Sequence, residues 1–353
     1  MASRAGGRRS VHVIRLAGLL ISLGSLWLLL HSVDLGSCAT VLSHAEPLPL
    51  LACLAVIAVE VALRSLRWRM LLPASRDGGR TQVRRIVPPL LVGYLGNAVL
   101  PARLGEPIRA YLVARREDLD TAEVFGSVVL ERIVDTATLG VVAFVAAVAV
   151  GAPSWIIQTT AVAALIGSLV TAALVVIGPA PLVRVVRRIV GRLPFAARVR
   201  PTLDRLDDFA RGIDTPSRSS AIVFATVISA VCWLLDASIF WLVARSIGAP
   251  LDPASALLVA AVTVLGTAIP SAPGYVGTFD LAASTTAQAL GVAAVPALAL
   301  AVLVHATAVL PTAGGGAVSL VAMNARLGRL ATEAAAAEAS SVAADAGGRT
   351  RAG

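Results

Sequence analysis

The chain of 353 residues is 57% hydrophobic and only 14% charged, and its mean hydropathy is +0.82. A soluble domain carries about 25% charged residues, so this composition excludes a water-soluble globular protein and indicates one embedded in lipid. All 30 cationic side chains are arginine, and the formal net charge is +9. Because the arginines cluster between apolar segments, we interpret them as topology signals rather than as a nucleic-acid-binding surface.

Seven apolar windows follow in chain order, each long enough, or nearly so, to cross ~30 Å of hydrocarbon. The first is interpreted as a retained helix, because no small-x-small cleavage site of a signal peptide follows it. The pattern predicts an all-α polytopic integral membrane protein with about seven or eight transmembrane helices. The windows cover residues 13–30, 48–63, 136–150, 156–177, 221–243, 254–269 and 293–323.

The distribution of arginine predicts the topology, because cytoplasmic loops of membrane proteins are enriched in arginine and lysine. Residues 1–15, 64–85 and 179–220 are rich in arginine and are therefore predicted to be cytoplasmic. Residues 32–47 and 151–155 contain no arginine and are predicted to lie outside. Arg326 and Arg329 predict that the C-terminus is cytoplasmic, on the same side as the N-terminus.

The segment 86–113 interrupts this alternation, because NAVLPARLGEPIRAY at 97–111 breaks an apolar helix. If the segment crossed once, four arginines would lie outside: Arg103, Arg109, Arg115 and Arg116. We therefore predict a re-entrant pair of half-helices meeting at Pro101, with Glu106 at the start of the second and Pro107 at its first position. Such backbone survives at membrane depth only where it is buried in protein or lines a wet cavity.

A second break, GTAIPSAPGYVGTFD, occupies residues 266–280. Both breaks read apolar-Pro-x-x-x-Gly, with a glycine before and an acid after. Paired breaks in the two halves of a membrane protein suggest an inverted repeat with the site between them. The alternative is coincidence, because glycine and proline are frequent in membrane helices. The predicted helix-break residues are Pro101, Gly105, Pro270, Pro273, Gly274 and Gly277.

Two charged groups lie in apolar sequence. Glu131 and Asp135 share a helix face at i, i+4, and Arg132 reaches Asp135 at i, i+3. They either satisfy each other near the inner interface or face a polar cavity, and intramembrane charges favour the second. Arg103, Glu106 and Arg109 are spaced by three residues and could hold an anionic headgroup, since arginine clasps phosphate in a bidentate manner. The rival interpretation is a structural network that pins the break.

The remaining polar residues are interpreted structurally. Glu60, Arg64 and Arg67 are predicted at the membrane interface, where Glu60 pairs with Arg64 and the arginines extend towards headgroups. Asp236 and His305 are isolated in the sequence and are interpreted as satisfied interior residues. The chain contains no HExxH, Walker or GxSxG motif and no metal-ligand spacing. We therefore predict no catalytic residue, no metal and no cofactor.

Four segments together resemble the flippase-like transmembrane family, which includes the membrane domain of lysylphosphatidylglycerol synthases: RSLRWRMLL (64–72), GNAVLPARLGEPIRAYLVARR (96–116), VVLERIVDTATL (128–139) and IPSAPGYVGTFD (269–280). In this family the late motif usually reads PGGLG followed by Glu, whereas this chain has PGYVG followed by Asp280. This difference concerns the identity of the substrate more than the fold. The resemblance implies that the protein handles lipid headgroups. The implied headgroup-binding residues are Asn97, Arg103, Glu106, Arg109, Glu131, Arg132, Asp135 and Asp280.

The resemblance also implies an organisation and a function. We expect a basic cytoplasmic N-terminus (1–12), a flippase-like domain (13–325) with its arginine-rich loop (179–220), and an Ala-rich disordered tail (326–353). The expected function is translocation of a phospholipid or lipid-linked anionic intermediate in the inner or plasma membrane, without the aminoacyl-transfer domain and without enzymatic activity. The expected partners are anionic or phosphate-bearing lipids. The alternative is a membrane scaffold that assists a glycosyltransferase or a lipid-modifying enzyme.

Overall fold

A computed structural model describes residues 19–29, 31, 33–74, 79–100, 103–176, 188, 218–267 and 271–334. Within these ranges the regular secondary structure is helical. The helices are α1 (Leu19–Leu29), α2 (Leu35–Ser43), α3 (Pro47–Leu71), α4 (Val83–Val99), α5 (Gly105–Glu117), α6 (Thr121–Ala149), α7 (Ser154–Val176), α8 (Arg218–Ser246), α9 (Pro253–Gly266), α10 (Thr278–Ala289), α11 (Ala294–Ala322) and α12 (327–334).

Five of these helices, α3, α6, α7, α8 and α11, are long and apolar enough to cross a membrane. The prediction of a helical multi-pass membrane protein is confirmed at this level, whereas the count of seven or eight spans is not. Helix α9 has only 14 residues and covers about 21 Å, so the predicted span 254–269 is too short. Helix α6 begins at Thr121, well before the apolar window that starts at 136.

The first break is a helical hairpin formed by α4 and α5, which pack against each other. The two helices approach so closely at three glycines that a Cβ atom on Gly105 would lie 1.8 Å from the carbonyl oxygen of Gly93. The Asn97 side chain accepts a hydrogen bond from the Gly105 N–H at 3.0 Å, which ties the start of α5 to α4. The prediction of two helices separated by a break is confirmed, while Pro101 lies outside the described residues.

One detail of the predicted hairpin is wrong. Helix α5 begins at Gly105, so Pro107 is its third residue rather than its first. Proline is tolerated there because the N–H groups of the first helical turn have no partner within the helix. Glu106 lies in the first turn, as predicted.

The second break lies between α9 and α10 and contains a short 3₁₀ turn, Pro273–Tyr275. Gly274 and Gly277 have φ angles of 71° and 89°, which side chains disfavour. The Asp280 carboxylate accepts a hydrogen bond from the Gly277 N–H at 3.0 Å and so caps α10. The 3₁₀ turn packs against α4, so the two breaks meet. Pro270 lies outside the described residues.

The long helices enclose these breaks. Helix α3 packs against α8, α6 against α7, and α4 against α11, while α6 also contacts α8 and α9. The largest apolar core cluster joins α3, α8, α9, α10 and α11 through side chains such as Cys53, Val243 and Leu300. The outer faces carry exposed leucines, among them Leu165, Leu169 and Leu310. Such apolar outer faces are suited to contact with lipid.

Part of the predicted tail is helical. Helix α12 buries Leu330 and Ala334 against Val92, Ile108 and Leu112, so the segment 326–353 begins with a short packed helix. The remainder of that segment lies outside the described residues. The predicted N-terminal segment 1–12 and nearly all of the arginine-rich segment 179–220 lie outside them as well.

Candidate functional site

Four charged side chains form a buried group between α3, α5 and α6, which we call the charge core: Arg67, Arg109, Glu131 and Asp135. Arg67 donates to Glu131 at 2.6 Å, to the Asp135 carboxylate, and to the hydroxyl of Ser229 at 2.7 Å. The side chains of Arg67 and Glu131 are each 1% exposed. The prediction that Arg67 extends to the membrane interface is therefore wrong, because its charge is neutralised inside the helix bundle.

Arg109 completes the charge core from α5. Its Nη2 atom lies 2.9 Å from Oε2 of Glu131, at ion-pair distance although the two atoms are not aligned for a hydrogen bond. The guanidinium group also lies over the ring of Trp68, 4.6 Å from the ring centroid. Breaking a buried ion pair leaves an uncompensated charge and costs about 3–5 kcal/mol. We therefore interpret the charge core as the polar connection that holds α3, α5 and α6 together.

A second set of six charged residues surrounds the breaks, and we call them the rim charges: Glu60, Arg64, Arg103, Glu106, Arg132 and Asp236. Three of them, Glu60, Arg64 and Asp236, join α3 to α8. Arg64 lies 2.5 Å from Glu60 and 2.8 Å from Asp236. The predicted pairing of Glu60 with Arg64 is confirmed, and Asp236 is a satisfied residue, as predicted, with its partner on another helix.

Arg132 belongs to the rim and is held loosely. Its guanidinium nitrogens lie 3.7 Å from Glu106, 3.6 Å from Glu131 and 3.8 Å from Asp135. These are ion-pair distances beyond the usual range of hydrogen bonds, and the Arg132 side chain is 33% exposed. Because these ion pairs are long, another anion can take the place of a carboxylate beside Arg132 without the loss of a short ion pair.

Arg103 links the two breaks directly. It donates to the backbone carbonyl of Thr267, and its guanidinium lies 5.3 Å from the centroid of the Tyr275 ring. Arg103 and Tyr275 both have a left-handed backbone conformation, with φ angles of 54° and 60° respectively. Non-glycine residues in this region are strained, and such strain concentrates at functional sites. The three residues of the predicted cluster are separated in the structure. Arg103 contacts Thr267, Glu106 contacts Arg132, and Arg109 contacts Glu131.

Two cavities open between these residues, and we call them the two lobes of the site. The first lobe, of about 260 Å³, is lined by Glu60, Arg64, Tyr94 and Asp236 among others. The second lobe, of about 290 Å³, is lined by Arg103, Glu106, Arg132, Asp135 and His305 among others. The lobes share four lining residues, namely Asn97, Tyr275, Ala308 and Val309. They therefore adjoin across Asn97 and Tyr275, where the two breaks meet.

Asp280 and His305 support the second break. His305 lies with Nδ1 2.9 Å from Asp280 and Nε2 2.7 Å from the carbonyl oxygen of Gly274. Because a carbonyl oxygen only accepts hydrogen bonds, Nε2 carries the proton. Both ring nitrogens of His305 therefore have hydrogen-bond partners, as predicted for a satisfied interior residue. The described contacts of Asp280 hold the backbone of the break, and those of Asn97 hold the start of α5.

Sequence reasoning missed residues whose partners lie on other helices. Asp236 is 172 positions from Arg64 in the sequence. The arginine over the ring of Trp68 comes from α5, and the arginine over the ring of Tyr275 comes from the first break. A lone acid in an apolar helix was the available signal for Asp236, because such an acid requires a partner. No group of metal-binding side chains occurs within the part of the chain that the structure describes.

Comparisons with known proteins agree with this architecture. A family model described as the lysylphosphatidylglycerol synthase TM region matches residues 15–316. A curated relative, the glycosyltransferase AglD of Haloferax volcanii, is 29% identical over 352 aligned positions, which cover 90% of this chain. The chain spans 56% of the length of that relative.

Proposed function

The chain belongs to the lysylphosphatidylglycerol synthase transmembrane-region family, and we propose that it moves a phospholipid or a lipid-linked anionic intermediate between the leaflets of the cell membrane. The observation that carries the proposal is the two-lobed cavity at the meeting of the breaks, with both arginine and carboxyl side chains on its walls. Charged side chains inside a helical membrane protein mark substrate pathways.

The rim arginines are suited to the phosphate of a headgroup. Arg103 and Arg132 both line the second lobe, and arginine matches the geometry of phosphate oxygens. The described contacts of Arg103 are a carbonyl group and an aromatic ring, and those of Arg132 are long ion pairs. Both guanidinium groups can therefore accept a phosphate without breaking a short ion pair. Glu106 competes for Arg132 and provides the means of release.

The size of the cavity fits a headgroup rather than a whole lipid. Small-molecule sites have volumes of about 300–1,000 Å³, and each lobe lies just below that range. The acyl chains would remain in the bilayer beside the apolar outer faces of the helices. In this proposal the chain has no catalytic residue, and the membrane lipid is its substrate.

The proposal is tested by reconstitution into vesicles with a fluorescent phosphatidylglycerol whose label is bleached only in the outer leaflet. We expect the wild type to raise the bleached fraction above that of protein-free vesicles. The double variant Arg103→Gln/Arg132→Gln should lose this activity, and Arg84→Gln, at an exposed arginine bonded to Gln82, should keep it. The absence of movement with the wild type, or equal movement with the double variant, would contradict the proposal.

A second candidate is an accessory role beside a glycosyltransferase or a lipid-modifying enzyme. It is favoured by the name of the relative, which is called a glycosyltransferase. This chain spans 56% of the length of that relative. The predicted docking surface is the arginine-rich segment 179–220. Co-purification of a transferase that is abolished by replacing those arginines with glutamate would support this role, and co-purification that survives the replacement would count against docking through that segment.

A further inference from the structure

A third cavity lies away from the breaks, at the C-terminal end of α5. Its volume is about 820 Å³, and its walls come from three segments: the last turns of α5, the turn after α11, and α12. We call it the arginine pocket, after Arg115, Arg116, Arg326 and Arg329, which all line it. It is larger than either lobe of the site at the breaks.

The charges of this pocket are strongly unbalanced. Four arginines and a single acidic residue, Glu333, line it. Glu333 is itself engaged, because it accepts a hydrogen bond from the Tyr111 hydroxyl at 3.2 Å and lies 3.6 Å from Arg115. The pocket therefore has an excess of about three positive charges. Like charges held close together repel one another, so a multivalent anion between them is favourable.

The pocket is held in shape by packing on its inner side. Leu330 of α12 is buried against Ile108 and Leu112 of α5 and against Val92 of α4. On the other side of α5, Arg116 donates to the carbonyl oxygen of Arg85 at 3.5 Å. Arginines that only mark the topology of a membrane protein extend separately into the headgroup layer, whereas all four of these arginines line one concavity with a packed inner wall.

The pocket is also separate from the site at the breaks. Helix α5 carries Glu106 in its first turn and Arg115 and Arg116 in its last. At 1.5 Å per residue the two ends are about 14 Å apart along the helix axis. A substitution in the arginine pocket therefore leaves the rim charges in place.

We propose that the arginine pocket binds a phosphate group with two or more negative charges, that is, a phosphomonoester or a pyrophosphate. A carboxylate carries one negative charge and would leave most of the pocket unneutralised. A phosphate dianion accepts several charge-assisted hydrogen bonds at once, and guanidinium groups bind it in a bidentate manner. Either a lipid headgroup or a soluble phosphorylated compound supplies this chemistry.

The test uses the full chain in phosphatidylcholine nanodiscs. One arm titrates inorganic pyrophosphate by calorimetry, and the other adds phosphatidic acid to the discs and counts retained lipid by native mass spectrometry. The variants are Arg326→Gln/Arg329→Gln on one wall and Arg115→Gln/Arg116→Gln on the other. The matched control is Arg80→Gln/Arg84→Gln, which removes two exposed arginines that do not line the pocket.

We expect the wild type and the control to bind at least one probe, and each pocket variant to bind it at least about tenfold more weakly, because each loses two charged donors. Binding of pyrophosphate identifies a soluble source, and binding of phosphatidic acid alone identifies a lipid headgroup. The proposal is overturned if the wild type binds neither probe, or if both pocket variants bind as tightly as the control. Thermal unfolding of the variants, measured in parallel, separates lost binding from lost folding.

Discussion

The arginines of the charge core and the rim arginine Arg132 carry the same guanidinium group, yet their environments differ. Arg67 and Arg109 are 1% and 3% exposed and pair with carboxylates that are equally buried. Arg132 is 33% exposed and lies 3.6 Å or more from each of its carboxylates. Charged side chains inside a membrane protein are therefore of two kinds, those that hold helices together and those that line a substrate pathway. Burial and pairing distance separate charges that hold helices together from charges that are free to exchange partners.

The largest expected effect comes from the charge core. Arg67→Met preserves much of the side-chain volume but leaves Glu131 and Asp135 without their main partner, and removing one member of a buried pair costs about 3–5 kcal/mol. We expect a strongly lowered midpoint of thermal unfolding and poor recovery of folded protein in detergent. Arg84→Met, at an exposed position, is the matched control. Equal unfolding midpoints for the two variants would mean that the charge core does not stabilise the bundle.

The hairpin that presents both charge groups should be nearly as sensitive. In Gly105→Ala the new Cβ atom would lie 1.8 Å from the Gly93 carbonyl oxygen and 2.6 Å from the Asn97 side chain. Helix α5 must move, and with it Arg109 of the charge core and Glu106 of the rim. We expect loss of both stability and lipid movement. Gly314→Ala in α11, where nothing lies within 4 Å of the new atom, should retain both, and loss of function in that variant alone would reverse the interpretation.

A moderate effect, confined to function, is expected at the contact between the breaks. Tyr275→Gly relieves a left-handed backbone conformation and removes the ring that lies over Arg103. A cation–π contact at an exposed site contributes about 0.5–1 kcal/mol. We therefore expect lipid movement to fall about two- to fivefold, while the unfolding midpoint changes little. Tyr275→Phe keeps the ring and should behave as the wild type; if it loses as much activity as Tyr275→Gly, the hydroxyl rather than the ring is responsible.

The smallest effect concerns a carboxylate outside both charge groups. Asp252 caps α9 by accepting hydrogen bonds from the Ala254 and Ser255 N–H groups, and its pKa is lowered mainly by the hydrogen bond from the Ser255 hydroxyl. A lowered pKa means that its stabilisation is present above the unfolded-state pKa and is lost as the pH falls through the folded-state value. Asp252→Ala should cost about 1 kcal/mol near neutral pH.

Thermal unfolding from pH 7 down to pH 3 checks this prediction. Asp252→Asn keeps a capping oxygen without a titrating group, so it should retain most of the stability and lose this contribution to the acid sensitivity. If Asp252→Ala unfolds at the wild-type midpoint throughout this pH range, the cap does not stabilise α9.

The sequence was informative wherever the relevant spacing lies within one helix. The break near residue 100, the shared face of Glu131 and Asp135, and the pair of Glu60 with Arg64 all follow from helical periodicity. The break near residue 270 follows from its glycines and prolines. These patterns predicted the type of fold and most of the charged residues that line the two lobes.

The sequence was misleading wherever a partner comes from another helix. Arg67 lies near the end of an apolar helix, a position typical of arginines that extend to headgroups. Its burial depends on Ser229 of α8 and on the acids of α6. Likewise, the spacing of Arg103, Glu106 and Arg109 suggested one cluster, but the residues before α5 are not helical and turn Arg103 towards the second break. Long-range packing decided both cases.

The most direct test of the central claim is native mass spectrometry of the purified protein in mild detergent. We expect the wild type and Arg84→Gln to retain a phosphate-bearing lipid, and Arg103→Gln/Arg132→Gln to retain one such lipid fewer per protein at an unchanged unfolding midpoint. Identical lipid adducts on all three proteins would contradict the assignment of the rim charges to headgroup binding.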